Sequence, residues 1–148
     1  MARYSQILYQ VVFSTKYRKP TLLKANQLDL YKYIWGILNQ KKCFLYRIGG
    51  IEDHIHLVFS LHPTVALADL IRDIKTSSSS FVKEKGFFPD FEGWQEGYGA
   101  FTYAIEAKEA LIEYVKNQEE HHKTINSKDE FRLMLKEFGI DFDEKYFE

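Results

Sequence analysis

The segment Asp53-His54-Ile55-His56-Leu57-Val58-Phe59 decides the fold, because its polar and apolar residues alternate. Successive side chains of a β-strand point to opposite faces of the sheet. His54 and His56 therefore project from one face. Ile55 and Leu57 project from the other face, which must be buried. The alternation predicts a strand whose apolar side is covered by helices and whose imidazoles point together from the open side.

The sequence on both sides of this strand predicts the remaining elements. Apolar residues at spacings of three and four indicate helices, and runs of β-branched and aromatic residues indicate strands. We predict strands at 6–13, 43–48, 54–61 and 98–105, and helices at 24–40, from 65 into the low eighties, and at 107–122. Thr64 is expected to cap the second helix. Ser127-Lys128-Asp129-Glu130 matches a capping box, so we expect a last short helix to open there.

The predicted order β-α-β-β-α-β is that of a ferredoxin-like or RRM-like split βαβ sheet. We therefore expect an α+β fold, in which a four-stranded antiparallel sheet carries two helices on one face and two additional helices follow at the C-terminal end. The second face would be free for a site or a partner. One domain is expected over 1–148, with the core at 1–105, a further helix at 106–125 and a helical tail at 126–148.

Charge is divided unevenly along the chain. Residues 1–91 contain 13 Lys and Arg against 7 Asp and Glu, whereas residues 92–148 contain 7 against 14. A basic surface can therefore exist although the net charge is only −1. Two solvated faces of opposite sign would give the same numbers, so charge alone leaves nucleic-acid binding open.

The chain is predicted to be cytoplasmic and not bound to a membrane. No apolar run approaches the ~20 residues of a membrane span. The first residues lack the apolar segment of a signal peptide, and Cys43 is the only cysteine, so no internal disulfide can form.

The His54-Ile55-His56 motif is a candidate metal site. Two imidazoles at positions i and i+2 of a strand can hold one divalent ion. A polar pair on a solvated sheet face would have the same sequence, so the motif alone leaves both interpretations open.

Tyr114 and Gln118 form a second candidate pair, because residues four apart share one face of a helix. A phenol can act as a covalent nucleophile when a metal polarises the electrophile. An amide oxygen is an acceptable ligand for a hard metal ion. The alternative is a core aromatic next to a surface glutamine.

Together these two motifs resemble those of the HUH-type single-tyrosine transposases of small insertion sequences and their REP-associated relatives. HUH denotes His-hydrophobic-His, which His54-Ile55-His56 matches, and the tyrosine segment is matched by Tyr114-Val115-Lys116-Asn117-Gln118-Glu119-Glu120-His121-His122. The likeness continues in three other segments: Ser14-Thr15-Lys16-Tyr17-Arg18, Trp94-Gln95 with Gly97-Tyr98, and Phe138-Gly139-Ile140.

The resemblance implies a transposase that cuts and rejoins single-stranded DNA. Tyr114 would attack the scissile phosphate and form a 5′-phosphotyrosine, freeing a 3′-hydroxyl. His54, His56 and Gln118 would hold one Mg²⁺ or Mn²⁺. Family members are dimers whose tyrosine helix can lie against the partner's His pair, and they recognise DNA hairpins. A homodimer with composite active sites, acting on DNA with hairpin ends, is therefore expected.

Basic residues are the candidates for contacts with DNA phosphates. They are Lys16, Arg18 and Lys19 after the first strand, and Arg47, Arg72 and Lys75 elsewhere. Tyr17 and the aromatics near Phe87 are candidates for base stacking. The remaining histidines, His62, His121 and His122, are interpreted as surface residues.

Two other functions use the same predicted fold. A non-catalytic RRM-like module would need aromatic residues on the open face of the central strands, where this chain has His54 and His56. A phosphoesterase with two His motifs and no covalent intermediate is the second alternative.

Overall fold

The computed structural model describes residues 4–147, and its elements follow the predicted order. The strands are β1 (Leu8–Ser14), β2 (Phe44–Ile51), β3 (His54–Ser60) and β4 (Gly99–Tyr103), and the helices are α1 (Lys24–Gln40), α2 (Leu67–Lys85), α3 (Lys108–Lys116), α4 (Gln118–His121) and α5 (Ser127–Glu137). The strands form one antiparallel sheet in the order β2-β3-β1-β4. This is the split βαβ order, as predicted. Within residues 4–147, no helix is both long enough and apolar enough to cross a membrane.

One face of the sheet packs on α1 and α2. The apolar residues Ile55, Leu57 and Phe59 of β3 are completely buried there. They meet side chains from both helices, among them Leu30 and Ile74. Burial of each such side chain is worth about 1.5–3 kcal/mol relative to exposure. The alternation in β3 therefore fixes which face carries the main core.

The opposite face is not free, and the expectation that it would be is wrong. α3 covers one part of it, where Leu111 and Val115 pack on Val58 of β3. α5 covers another part, where Phe131 packs on Phe101 of β4. Each of these helices has its own apolar stripe, which has to be buried, and the uncovered sheet face is the surface that accepts it. The two histidines of β3 are consequently enclosed between the sheet and the C-terminal helices.

Two glycines allow these helices to approach the sheet closely. A Cβ atom on Gly49 of β2 would lie 2.6 Å from the backbone oxygen of Val115 in α3. A Cβ atom on Gly99 of β4 would lie 2.5 Å from the Phe131 ring of α5. A side chain at Gly49 would push α3 away from the sheet, and a side chain at Gly99 would displace the Phe131 ring.

Three expectations about the caps and the continuity of the helices are wrong for local reasons. α2 begins after Ala66, not Thr64, and has no side-chain cap. The predicted helix at 107–122 is interrupted at Asn117, which separates α3 from α4. The cap of α5 is Asn126, whose side-chain oxygen accepts a hydrogen bond from the Asp129 amide. Glu130, the glutamate of the expected capping box, instead contacts His56 of β3.

Candidate active site

The two histidines of β3 lie side by side in the space between the sheet and the C-terminal helices. Their exposed fractions are 1% for His54 and 0% for His56. Their Nε2 atoms are 3.1 Å apart. The predicted common face is therefore observed, although it is buried and not solvated.

Gln118, the first residue of α4, meets this pair. Its Oε1 atom lies 3.0 Å from Nε2 of His54. Its Nε2 atom donates a hydrogen bond of 3.1 Å to Oε2 of Glu130. This bond fixes the orientation of the amide, so that the oxygen faces the imidazoles. The structure thus brings the three predicted donor residues together.

Two further residues, not predicted from the sequence, complete the cluster. Oε1 of Glu130 lies 3.1 Å from Nε2 of His56 and 3.2 Å from Nε2 of His122. Nε2 of His122 also lies 3.0 Å from Oε1 of Gln118. The His122 side chain is only 5% exposed, so its interpretation as a surface residue is wrong. His122 is four residues after Gln118, and residues at this spacing share one face of a helix. This spacing could have identified His122 as a member of the cluster from the sequence.

Each of the cluster's imidazoles is oriented by an acceptor on its far side. An Nδ1–H group that donates to such an acceptor leaves the Nε2 lone pair pointing towards the centre of the cluster. The acceptors are Asp53 Oδ1 for His54 at 2.7 Å, Gln10 Oε1 for His56 at 2.9 Å and the Ile125 carbonyl oxygen for His122 at 2.7 Å. Metal-binding histidines are usually oriented by acceptors of this kind on their second ring nitrogen.

The donor atoms fit a divalent ion. The contacts of His54 Nε2 with its neighbours are 3.0 to 3.3 Å long. Neighbouring ligands around an ion with bonds of about 2.1 Å are roughly 3 Å apart. Lone pairs that converge without enough protons between them repel each other, and a cation at their centre removes that repulsion. The mixture of imidazole nitrogens with carboxylate and amide oxygens, and no thiolate, suits Mn²⁺ well and Mg²⁺ acceptably.

Buried charges in the cluster shift its pKa values in different directions. Burial lowers the pKa of His54, but hydrogen bonds with Asp53 and Glu130 outweigh burial and raise it to about 9. Burial lowers the pKa of His56 to about 4. Burial would raise the pKa of Glu130, yet its hydrogen bonds with His122, His54 and His56 hold that pKa well below the usual range. The cluster thus needs positive charge at its centre, which a proton on His54 supplies when no ion does.

Tyr114, in the last turn of α3, lies at the edge of the cluster. Its hydroxyl donates a hydrogen bond to Oε2 of Glu130. Its ring is half-buried against His56, with ring centroids 5.7 Å apart. Burial, followed by the negative charge of Glu130, raises the pKa of the phenol above its usual value. The phenol is therefore protonated at neutral pH.

The basic residues after β1 have different surroundings. Lys16 is exposed, next to the exposed ring of Tyr17. Lys19 is exposed but forms an ion pair of 2.8 Å with Glu92. Arg18 turns inwards, where its Nη1 donates to the Ser14 hydroxyl and its guanidinium faces an aromatic ring of α5.

Three further basic candidates lie elsewhere in the chain. Arg72 is exposed on α2 and forms ion pairs with Asp69 and Asp73 at 3.3 and 3.4 Å. Arg47 is exposed on the edge strand β2 and lines a cleft of about 460 Å³ together with Trp35 and Lys116. Nζ of Lys75 donates to the carbonyl oxygens of Gln95 and Gly97, at 2.9 and 2.5 Å. Burial lowers the pKa of Lys75 to about 8. A role for these three side chains in DNA binding stays a prediction.

Comparison with known proteins gives the family. The protein-family model described as "Transposase IS200 like" matches residues 3–118. The chain belongs to the IS200-like transposase family. The resemblance inferred from the sequence is thereby confirmed, and no curated protein matches the chain significantly.

Two solved structures resemble this IS200-like transposase in fold. A protein from Deinococcus radiodurans that is named as a transposase has 20% sequence identity and a TM-score of 0.63, over 80% of this chain and 95% of its own. A REP-associated tyrosine transposase bound to a REP hairpin has 14% identity and a TM-score of 0.62, over 84% of this chain and 76% of its own. The family match ends at Gln118, so His122 and Glu130 lie beyond it.

Proposed function

We propose that this IS200-like transposase cleaves and rejoins single-stranded DNA through a covalent 5′-phosphotyrosine at Tyr114. The observation that carries the proposal is the position of this phenol. Its oxygen lies at the edge of a cluster that contains His54, His56 and Gln118, and it shares Glu130 with that cluster. A nucleophile beside a set of metal donors is the arrangement that phosphoryl transfer needs.

In the proposed reaction, the Tyr114 oxygen forms a bond to phosphorus while the bond from phosphorus to the 3′ oxygen breaks. The phenol gives up its proton and the departing 3′ oxygen gains one. The same step in reverse, with a different 3′-hydroxyl, rejoins the strand. The phosphotyrosine conserves the phosphodiester bond energy, so no nucleotide cofactor is required. A Mn²⁺ or Mg²⁺ ion held by His54, His56 and Gln118 would polarise the scissile phosphate and offset the charge on its oxygens.

The chain's own residues prepare this step. Asp53 and Gln10 hold the two imidazoles of β3 in orientation. Glu130 holds the phenol oxygen of Tyr114 next to the cluster. The raised pKa keeps the phenol protonated until DNA is present, because burial and the carboxylate both oppose its ionisation. Positive charge next to the oxygen is therefore needed to make it nucleophilic.

Single-stranded DNA with hairpin ends is the proposed substrate. The similar REP-associated transposase was solved with a REP hairpin. In this chain, Ser14 at the end of β1 lies opposite His54, so the loop after β1 begins beside the site. Lys16 and Tyr17 are exposed on that loop and offer a charge for phosphate and a ring for stacking. An RRM-like module is disfavoured, because the sheet face it would use is buried under α3 and α5.

We further propose a homodimer, on the basis of the family resemblance. Tyr114 and the His pair lie together within one chain. Composite sites would form if the segment from Tyr114 to Glu130 exchanged between two chains, since the same contacts would then be made to the partner's sheet.

The test is cleavage of single-stranded DNA that carries the hairpins from the ends of the insertion sequence that encodes this transposase. We expect cleavage with Mn²⁺ or Mg²⁺ and none after chelation with EDTA. His56→Ala should abolish cleavage but leave DNA binding largely intact, because basic residues hold the phosphates. His62→Ala is the matched control, since the His62 side chain bonds to Thr64 in its own turn and lies outside the cluster. Full activity in EDTA would overturn the proposed role of the metal.

A further inference from the structure

The cluster contains two donor side chains that the three-ligand site does not use. We propose that His122 and Glu130 are ligands of the same divalent ion, which makes α5 a part of the metal site. This inference rests on the proposed function, because it concerns the ion that the function requires. It extends the ligand set from His54, His56 and Gln118 to five residues.

The distances of the two added donors equal those of the expected ligands. His122 Nε2 is 3.0 Å from the Gln118 oxygen, and Glu130 Oε1 is 3.1 Å from His56 Nε2. The His54–Gln118 contact is 3.0 Å long. Oε1 of Glu130 also lies 3.3 Å from His54 and 3.2 Å from His122. A residue that is not a ligand would contact one side of the cluster. This carboxylate oxygen contacts three imidazoles.

The other polar atoms of these two residues are already engaged, which leaves one atom of each for the ion. His122 Nδ1 is paired with the carbonyl oxygen of Ile125 at 2.7 Å. Oε2 of Glu130 accepts hydrogen bonds from the Gln118 amide and from the Tyr114 hydroxyl. Nε2 of His122 and Oε1 of Glu130 therefore face the centre of the cluster.

The packing of α5 holds Glu130 in this position. Phe131, the next residue, is buried against β4. At the start of the helix, the Ser127 hydroxyl donates to Oδ2 of Asp53 at 3.0 Å. The other carboxylate oxygen of Asp53 orients His54. Asp53 thus holds both α5 and His54 in place. The buried carboxylate of Glu130 needs a compensating positive charge in this position.

An ion bound in this way would differ from a three-ligand ion in two respects. Three imidazoles favour Mn²⁺ over Mg²⁺, because Mg²⁺ prefers oxygen ligands and retains its waters. The ion would also tie α5 to the nucleophile, since Glu130 contacts Tyr114 through its second oxygen. Binding of the ion should therefore order the C-terminal segment and the phenol together.

The direct test is pulsed EPR on the wild-type chain loaded with Mn²⁺ in the absence of DNA, which counts coordinated imidazole nitrogens. We expect three nitrogens, and one fewer in His122→Asn. A count of two in the wild type would overturn the inference and leave the three-residue site of the proposed function intact. Failure of the wild type to bind Mn²⁺ at all would overturn both.

Calorimetric titration with Mn²⁺ gives a second readout. His122→Asn and Glu130→Gln should each weaken binding at least about tenfold. His62→Asn, outside the cluster, should bind like the wild type. Circular dichroism of each metal-free variant checks that it folds. Wild-type affinity in both cluster variants, with loss of binding in His56→Ala, would contradict the inference but not the proposed function.

Discussion

Asp53 illustrates how single residues outside the ligand set control the site. One of its oxygens accepts the Nδ1–H of His54 at 2.7 Å and the other accepts the Ser127 hydroxyl at 3.0 Å. Burial would raise the pKa of Asp53, but the bonds to His54 and Ser127 lower it, so the side chain is a carboxylate at neutral pH. Its charge makes His54 a better ligand.

Asp53→Asn removes this charge and keeps the size of the side chain and its preference for turns. We expect Mn²⁺ affinity to fall by about 10 to 100 times, since that is the usual cost of losing a carboxylate that orients a metal-binding histidine. Calorimetric titration measures the change. Asp69→Asn, on the exposed surface of α2, is the control. Equal affinity in the wild type and Asp53→Asn would show that the charge of Asp53 does not strengthen metal binding by His54.

At the level of residues, the sequence predicts the features that short periodicities determine. The period of two in β3 placed His54 and His56 together, and the spacing of four placed Gln118 on the same helical side as Tyr114. Glu130 was missed because its position fits a capping box, a local role that needs no tertiary contact. Only the docking of α5 on the sheet turns that carboxylate inwards, and such long-range packing leaves no local pattern in the sequence.

The contact between β2 and α3 is the element-level feature that positions Tyr114, the proposed nucleophile. Gly49→Ala would place a Cβ atom 2.6 Å from the backbone oxygen of Val115. A backbone atom cannot turn away, so α3 must shift. Overpacking of this kind costs about 1–3 kcal/mol of unfolding free energy, and the shift should also reduce DNA cleavage because Tyr114 moves with the helix.

Gly36→Ala is the matched control for this variant, measured by chemical denaturation. Gly36 lies within α1, and a Cβ atom there would have nothing within 4 Å. Alanine should therefore stabilise the helix by about 0.5–1 kcal/mol. If Gly49→Ala proved as stable and as active as Gly36→Ala, the close approach of α3 to β2 would not be the feature that places Tyr114.

At the level of elements, the sheet and its first two helices were predictable because each has its own hydrophobic period. The covering of the second sheet face was not, because it depends on α3 and α5 folding back over β3. The break at Asn117 was missed for the same reason. It lets Gln118 and His122 turn towards the histidines of β3, a tertiary requirement that helical propensity does not reveal.

For the whole molecule, the open question is whether the site belongs to one chain or to two. Mixing Tyr114→Phe and His56→Ala chains answers it. If the segment from Tyr114 to Glu130 exchanges, one site of each mixed dimer is intact, and an equal mixture should regain about a quarter of wild-type cleavage. We expect this rescue from the proposed composite dimer. No rescue, despite demonstrated subunit exchange, would place the complete site in one chain. The contact between Tyr114 and His56 within the single chain would then be the one made in solution.

The measurement that tests the central claim most directly is the fate of the two ends of a cleaved DNA strand. With a divalent ion, a 3′-end label should remain attached to the wild-type protein under denaturing conditions, a 5′-end label should be released, and peptide mapping should find the phosphate on Tyr114. Tyr114→Phe keeps the ring and should lose the adduct. Tyr46→Phe, at the same helix–sheet contact, should retain it. An adduct that persists in Tyr114→Phe, or a phosphate on any other residue, would contradict the assignment of Tyr114 as the nucleophile.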